Sequence, residues 1–233
     1  MQQTTATKKQ DTVEKISLNV PFIRQADNFD CSIAALQMIM RYWGDAVDYI
    51  VLKRELSPWI NEKEKTHLQG VGIYLARRGY EVYLNYHDAN VIDKAIDGIT
   101  ELEKDQLVEA LKRIPDETST QFQRKKISLD IDFIESGGKY STVIPTLALI
   151  DSRLANKVPT MICVKLQIWK SNPSIKNNHY VVIVGKENDH YIINDPGSNI
   201  TGPYRVQKDK LLMAWYACGA YTLSASPRKT PLG

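Results

Sequence analysis

The sequence predicts an α+β protein, and three observations carry that prediction. Residues 31–43 are apolar almost all round, which belongs to a helix in the centre of a fold rather than on its surface. Residues 160–166, 179–186 and 190–194 are β-branched and aromatic runs bounded by turn residues, the signature of strands. Helical patterns come first and antiparallel strands later.

Taken in order, residues 1–15 read as a flexible polar tail and 16–23 as a short strand with Pro21 near its end. Asp30 is a good N-cap for the helix at 31–43, and Gly44 a good stop. Residues 49–56 form a second helix, ended at Ser57-Pro58. Residues 66–78 form a third, stopped by Gly79, with a strand at 80–86 after it. Residues 90–113 are helical and charged, with an apolar stripe from Val91 to Leu111. Residues 115–139 are polar and contain glycine, with a short apolar stretch at 127–134. The organisation expected is one domain over 16–225, carrying a helical insertion at about 90–139, and a second tail at 226–233. A helix at 144–155 precedes the strands, and 221–225 adds a further strand.

Composition narrows the function classes. The chain has 233 residues, enough for one large domain, with 43% hydrophobic and 24% charged residues. Thirty basic against 27 acidic residues leave a net charge of +3, too small and too mixed to argue for nucleic acid or an anionic membrane. No apolar run approaches the roughly 20 residues that span a bilayer. Three cysteines, Cys31, Cys163 and Cys218, form no secreted disulfide framework and are compatible with a reducing cytosol. Residues 1–15 lack the apolar stretch of a signal peptide, so the expected location is cytoplasmic, or exported without one.

A catalytic cysteine reacts as its thiolate, and a helix N-terminus favours that form through its unpaired N–H groups and partial positive charge. Cys31 stands at the first helical position. Alone, a cysteine on a buried helix is more often a small hydrophobe. His179, at the start of an apolar strand, changes that reading, because an imidazole beside a thiol forms a thiolate–imidazolium pair. A hairpin centred near residue 187 or 188 puts position 179 opposite 195 or 196, and opposed residues share a face. Asp195 then lies beside His179 and orients its ring. Asn194 is the rival for that role, but alternation turns it to the other face. Gln25, six positions ahead of Cys31, is the fourth candidate: its side-chain N–H with the Cys31 backbone N–H would form an oxyanion hole.

These residues carry a family resemblance. Val20-Pro-Phe-Ile-Arg-Gln25, Asp30-Cys31-Ser32, His179-Tyr-Val-Val-Ile-Val-Gly185 and Asn194-Asp195-Pro196 resemble the double-glycine leader peptidases, papain-like enzymes found alone or fused to bacteriocin exporters. The resemblance is strongest to the stand-alone forms and covers about 16–86 and 144–225. It implies a papain-like fold, with the cysteine helix packed on a C-terminal antiparallel sheet. It also implies Cys31 as nucleophile, His179 as general base, Asp195 as orienting residue and Gln25 as oxyanion donor. Ser32 stands where the family usually has glycine, which puts substrate choice in question.

The function expected is a bacterial cysteine peptidase cleaving a peptide or isopeptide amide through a thioester, its partner a peptide or protein substrate. The same thioester would serve an acyltransferase or a glutamine deamidase effector toxin. A non-catalytic leader-peptide-binding module is the third reading. No cofactor is expected: His67, His87 and His190 lack metal-ligand spacing, and no phosphate-cradling glycine loop occurs. Cys163 and Cys218 read as packing residues, and Trp169 as a core residue, with a wall for a substrate groove as the alternative.

Overall fold

The computed structural model describes residues 15–60, 66–86, 102–114 and 119–228. The expected tails fall mostly outside these, as do His87 and the first part of the helical stretch at 90–113. Eight strands are described: β1 (Lys15–Ser17), β2 (Tyr80–Asn85), β3 (Lys139–Ser141), β4 (Thr160–Lys165), β5 (Asn178–Glu187), β6 (His190–Asn194), β7 (Tyr204–Gln207) and β8 (Thr222–Pro227). They form one sheet in the order β3-β2-β8-β4-β5-β6-β7, with β1 paired to β5. Only β2 and β3 run parallel; every other pairing is antiparallel. The architecture is α+β as expected, and the sheet also draws β1, β2 and β3 from earlier in the chain.

The first helix, α1 (Cys31–Tyr42), packs on β5. Residues 32–40 are all buried, as the absence of a polar face requires. Its end is a Schellman motif: the Gly44 N–H donates to the Arg41 carbonyl and the Asp45 N–H to the Met40 carbonyl, with Gly44 at φ 86°. Two further helices, α2 (Tyr49–Leu56) and α3 (Leu68–Arg77), pack beside it. Along β5, Val181, Val182, Ile183 and Val184 are all buried, so both faces of the strand are covered.

Two expectations change and two gain detail. The strand at 16–23 shrinks to β1, because the Val20 N–H turns back to the Leu18 carbonyl and breaks the ladder before Pro21. Within 90–113 the described helix is α4 (Lys104–Arg113). The polar stretch after it contains α5 (Gln121–Glu135), opened by a capping box between Thr120 and Gln123. The apolar pattern of α5 is broken by Lys126 and Asp130, which are nevertheless buried. Asp130 accepts from Gln69 Nε2 at 2.8 Å and from the Tyr86 hydroxyl, and Lys126 lies over the Tyr86 ring. After α6 (Leu147–Ala155) and the short α7 (Leu166–Trp169), β7 leads into α8 (Lys208–Tyr216), where no element was expected.

Candidate active site

Cys31 opens α1 and is half-buried at the edge of a cleft of about 150 Å³. Asn28, Phe29, Ser32, Thr66, Asn178 and His179 line the same cleft. Asp30 occupies the N-cap position but does not cap the helix. Its carboxylate accepts from the Tyr49 hydroxyl and from Lys53 Nζ at 3.2 Å instead. Asp30 thus does not occupy the first-turn N–H groups, and Lys53 balances its charge beside Cys31. Ser32 is 1% exposed, and its Oγ is buried without a hydrogen-bond partner.

His179 enters from the first turn of β5, where Val164 of β4 is its only ladder partner. The β5–β6 ladder stops at Val182 and Asn194, so the other side of His179 is open to side chains. A bulge between Ile183 and Gly185 shifts the register, and extending the ladder puts position 179 opposite 197 rather than 195 or 196. Asp195 is then the diagonal neighbour on the same face, still within reach. His179 Nε2 lies 2.6 Å from Asp195 Oδ1, and the ring lines the same cleft as the Cys31 thiol. Burial pushes the imidazole down. The bond to Asp195 and the nearby Cys31, with their charges, more than offset this and hold it at about 9.

Asp195 is fully buried and well satisfied. Besides His179, it accepts from the Tyr204 hydroxyl at 2.7 Å, the Gly197 N–H at 2.9 Å, Trp169 Nε1 at 3.3 Å and Lys170 Nζ at 3.3 Å. Burial alone would raise its carboxyl, but the hydrogen bond and charge of His179, then Tyr204 and Gly197, hold it well below the usual range. Trp169 is therefore a buried core residue that donates to Asp195. The Asx-turn from Asp195 to Gly197 was a readable signal; Tyr204 and Lys170 left none. Asn194 points elsewhere and donates to the Val20 carbonyl at 3.1 Å.

Gln25 is the least engaged candidate. Its backbone N–H donates to the Pro196 carbonyl at 2.9 Å, which ties the loop before α1 to the residue after Asp195. Its Oε1 is buried without a partner, and its side chain is not part of the cleft lining. The structure thus brings Cys31, His179 and Asp195 together and holds Gln25 against the loop behind them. Among the described residues, no group of three His, Cys, Asp or Glu side chains could hold a metal ion, and no helix is long and apolar enough to cross a membrane.

The family model described as "Peptidase_C39 like family" matches residues 17–223. No curated protein matches the chain. Three solved structures are similar to it. The peptidase domain of Streptococcus ComA, a bifunctional ABC transporter involved in quorum sensing, is 16% identical, with a TM-score of 0.48, 89% of this chain and 98% of that one covered. A double-glycine motif protease from an AMS/PCAT transporter, in complex with its leader peptide, is 15% identical, with a TM-score of 0.49 and coverage of 91% and 94%. A C39-like peptidase from Bacillus anthracis is 16% identical, with a TM-score of 0.47 and coverage of 93% and 100%.

Proposed function

We propose, from the premise that this chain belongs to the Peptidase_C39 like family, that it is a cysteine peptidase working through Cys31, His179 and Asp195. One observation supports this most. His179 stands between the Cys31 thiol and the Asp195 carboxylate and is held protonated up to about 9. An imidazolium beside a cysteine at a helix N-terminus is the electrostatic partner of a thiolate.

In this reading the Cys31 sulfur attacks the carbonyl carbon of a peptide or isopeptide amide. The developing oxyanion is met by the Cys31 backbone N–H and, after its side chain turns toward the cleft, by the Gln25 amide. His179 passes its proton to the leaving amine, and a thioester remains on Cys31. His179, now neutral, takes a proton from water, which attacks the thioester and releases the acid. Asp195 holds the ring in place throughout, and its four other donors keep its charge fixed.

The test is product mass. Incubated with a peptide library, the chain is expected to give fragment pairs whose masses sum to substrate plus one water. Cys31→Ala should give none. Products with a new amine attached, or a glutamine converted to glutamate without cleavage, would replace the peptidase reading with acyl transfer or deamidation. Peptides bound but unchanged by both forms would leave only binding.

A further inference from the structure

Cys163 and Cys218 take no part in the chemistry proposed above. Cys163 lies mid-strand in β4 and Cys218 in the turn after α8, 55 positions apart, yet their Sγ atoms are 2.7 Å from each other. Both are thiols, 3% and 8% exposed. Non-bonded heavy atoms settle at about 3.5–4.0 Å, and a disulfide bond spans about 2.0 Å. The backbone therefore holds these sulfurs nearer to bonding distance than to ordinary contact.

The turn itself aims Cys218 at β4. The Cys218, Gly219 and Ala220 N–H groups all return to carbonyls at the end of α8, and Ala220 sits at φ 51°, a left-handed conformation unusual for alanine. The Cys163 N–H donates to the Tyr221 carbonyl at 3.0 Å, locking the strand to the same turn. Access comes from one side: Cys163 lines the cleft that also holds Cys31.

We propose that Cys163 and Cys218 are a redox modification site, at which a low-molecular-weight disulfide entering the Cys31 cleft is exchanged for an intramolecular Cys163–Cys218 bond. The Cys163 thiolate attacks one sulfur of RSSR, forming Cys163–S–S–R and expelling RS⁻. The Cys218 thiolate then attacks the Cys163 sulfur and expels the second RS⁻. The two thiol protons end on two RSH, so the cysteine pair loses two electrons and RSSR gains them. The hydrogen bond with Cys218 and burial push the Cys163 thiol up, so the first attack quickens as pH rises. The product ties β4 to the end of α8 and leaves Cys31 the one free thiol of the chain, with no neighbour to pair with wrongly. The inference rests on sulfur geometry and is independent of the peptidase reading.

The purified chain is incubated with glutathione disulfide at about pH 8, alkylated with iodoacetamide and digested without reduction. The expected product is one cross-linked peptide pair joining Cys163 to Cys218, two hydrogens lighter than its parts, with Cys31 recovered outside it. Its thermal midpoint should lie several degrees above that of the dithiothreitol-treated chain. Cys163→Ala and Cys218→Ala should each lose both the cross-link and the shift. A second sample, refolded from urea in a glutathione redox buffer, removes access as a limit. If both cysteines carry alkyl groups after both treatments, if Cys31 takes the place of either, or if the cross-link lowers the midpoint, the proposal fails.

Discussion

His179 couples charge to folding. Its folded value of about 9 lies above the 6.5 of a free imidazole. Its contribution is therefore complete below about pH 6.5 and is lost as pH rises through about 9. Asp195 works in the opposite direction: its carboxyl is held down, so its contribution is present above about pH 4 and is lost on acidification. Urea unfolding should show stability falling by about 2–3 kcal/mol from pH 6.5 to 9.5, and His179→Gln should flatten that decline. Equal slopes in both forms would remove the role given to His179. Asp195→Asn should leave the fold intact and cut kcat by about 10²- to 10⁴-fold; peptide-hydrolysis kinetics decide it. Cys31 should take up iodoacetamide at about pH 6 far faster than buried Cys163 or Cys218, and equal rates would sink the thiolate–imidazolium pair.

Each element carries its own test. Gly185 is where β5 meets β1 and β6 together, and a Cβ there would lie 2.5 Å from the Ile16 carbonyl oxygen. Because that neighbour is backbone, Gly185→Ala should detach β1 and cost about 1–3 kcal/mol, read from thermal or urea unfolding. A variant as stable as the parent would show β1 to be loosely held. The helix α5 depends on Asp130, which satisfies Gln69 and Tyr86 in the interior. Asp130→Ala strands both groups and should cost about 2–4 kcal/mol; a smaller loss would mean the cavity admits water. The two ends of α1 were readable because a buried apolar run and a stop glycine are local signals. The helix α5 was readable only as part of a helical insertion, because its inward face carries Lys126 and Asp130, which meet Tyr86, Tyr221 and Gln69 from distant parts of the sequence.

Across the molecule, the sheet has protected and exposed parts. Its middle strands, β8, β4 and β5, are paired on both sides, whereas β3 and β7 are edges of three and four residues. Short edge strands limit pairing with other chains. Amide hydrogen exchange should therefore be slowest at Ile162, Val181, Val182 and Ile183 and fastest at β3 and β7. Uniform protection would contradict a core centred on β4 and β5. The cleft sits where that rigid centre ends. His179 is the second residue of β5, and Cys31 is the first of α1. Both side chains are thus held by elements whose central residues, 32–40 in α1 and 181–184 in β5, are buried.

The sequence alone carried the α+β class, the central cysteine helix, the β5–β6 hairpin and the nearness of His179 to Asp195, because each depends on short-range periodicity or on a tight turn. The partners of Asp195 came from elsewhere: Tyr204 from β7, Trp169 and Lys170 from α7 and its end. So did the route of the Asp30 carboxylate to Lys53 and the meeting of Cys163 with Cys218 across 55 positions. Such contacts are made by packing between segments distant in the chain, and no local pattern encodes which polar group will satisfy a buried charge. That is why the nearness of His179 to Asp195 was legible, and the environment that sets their charges was not.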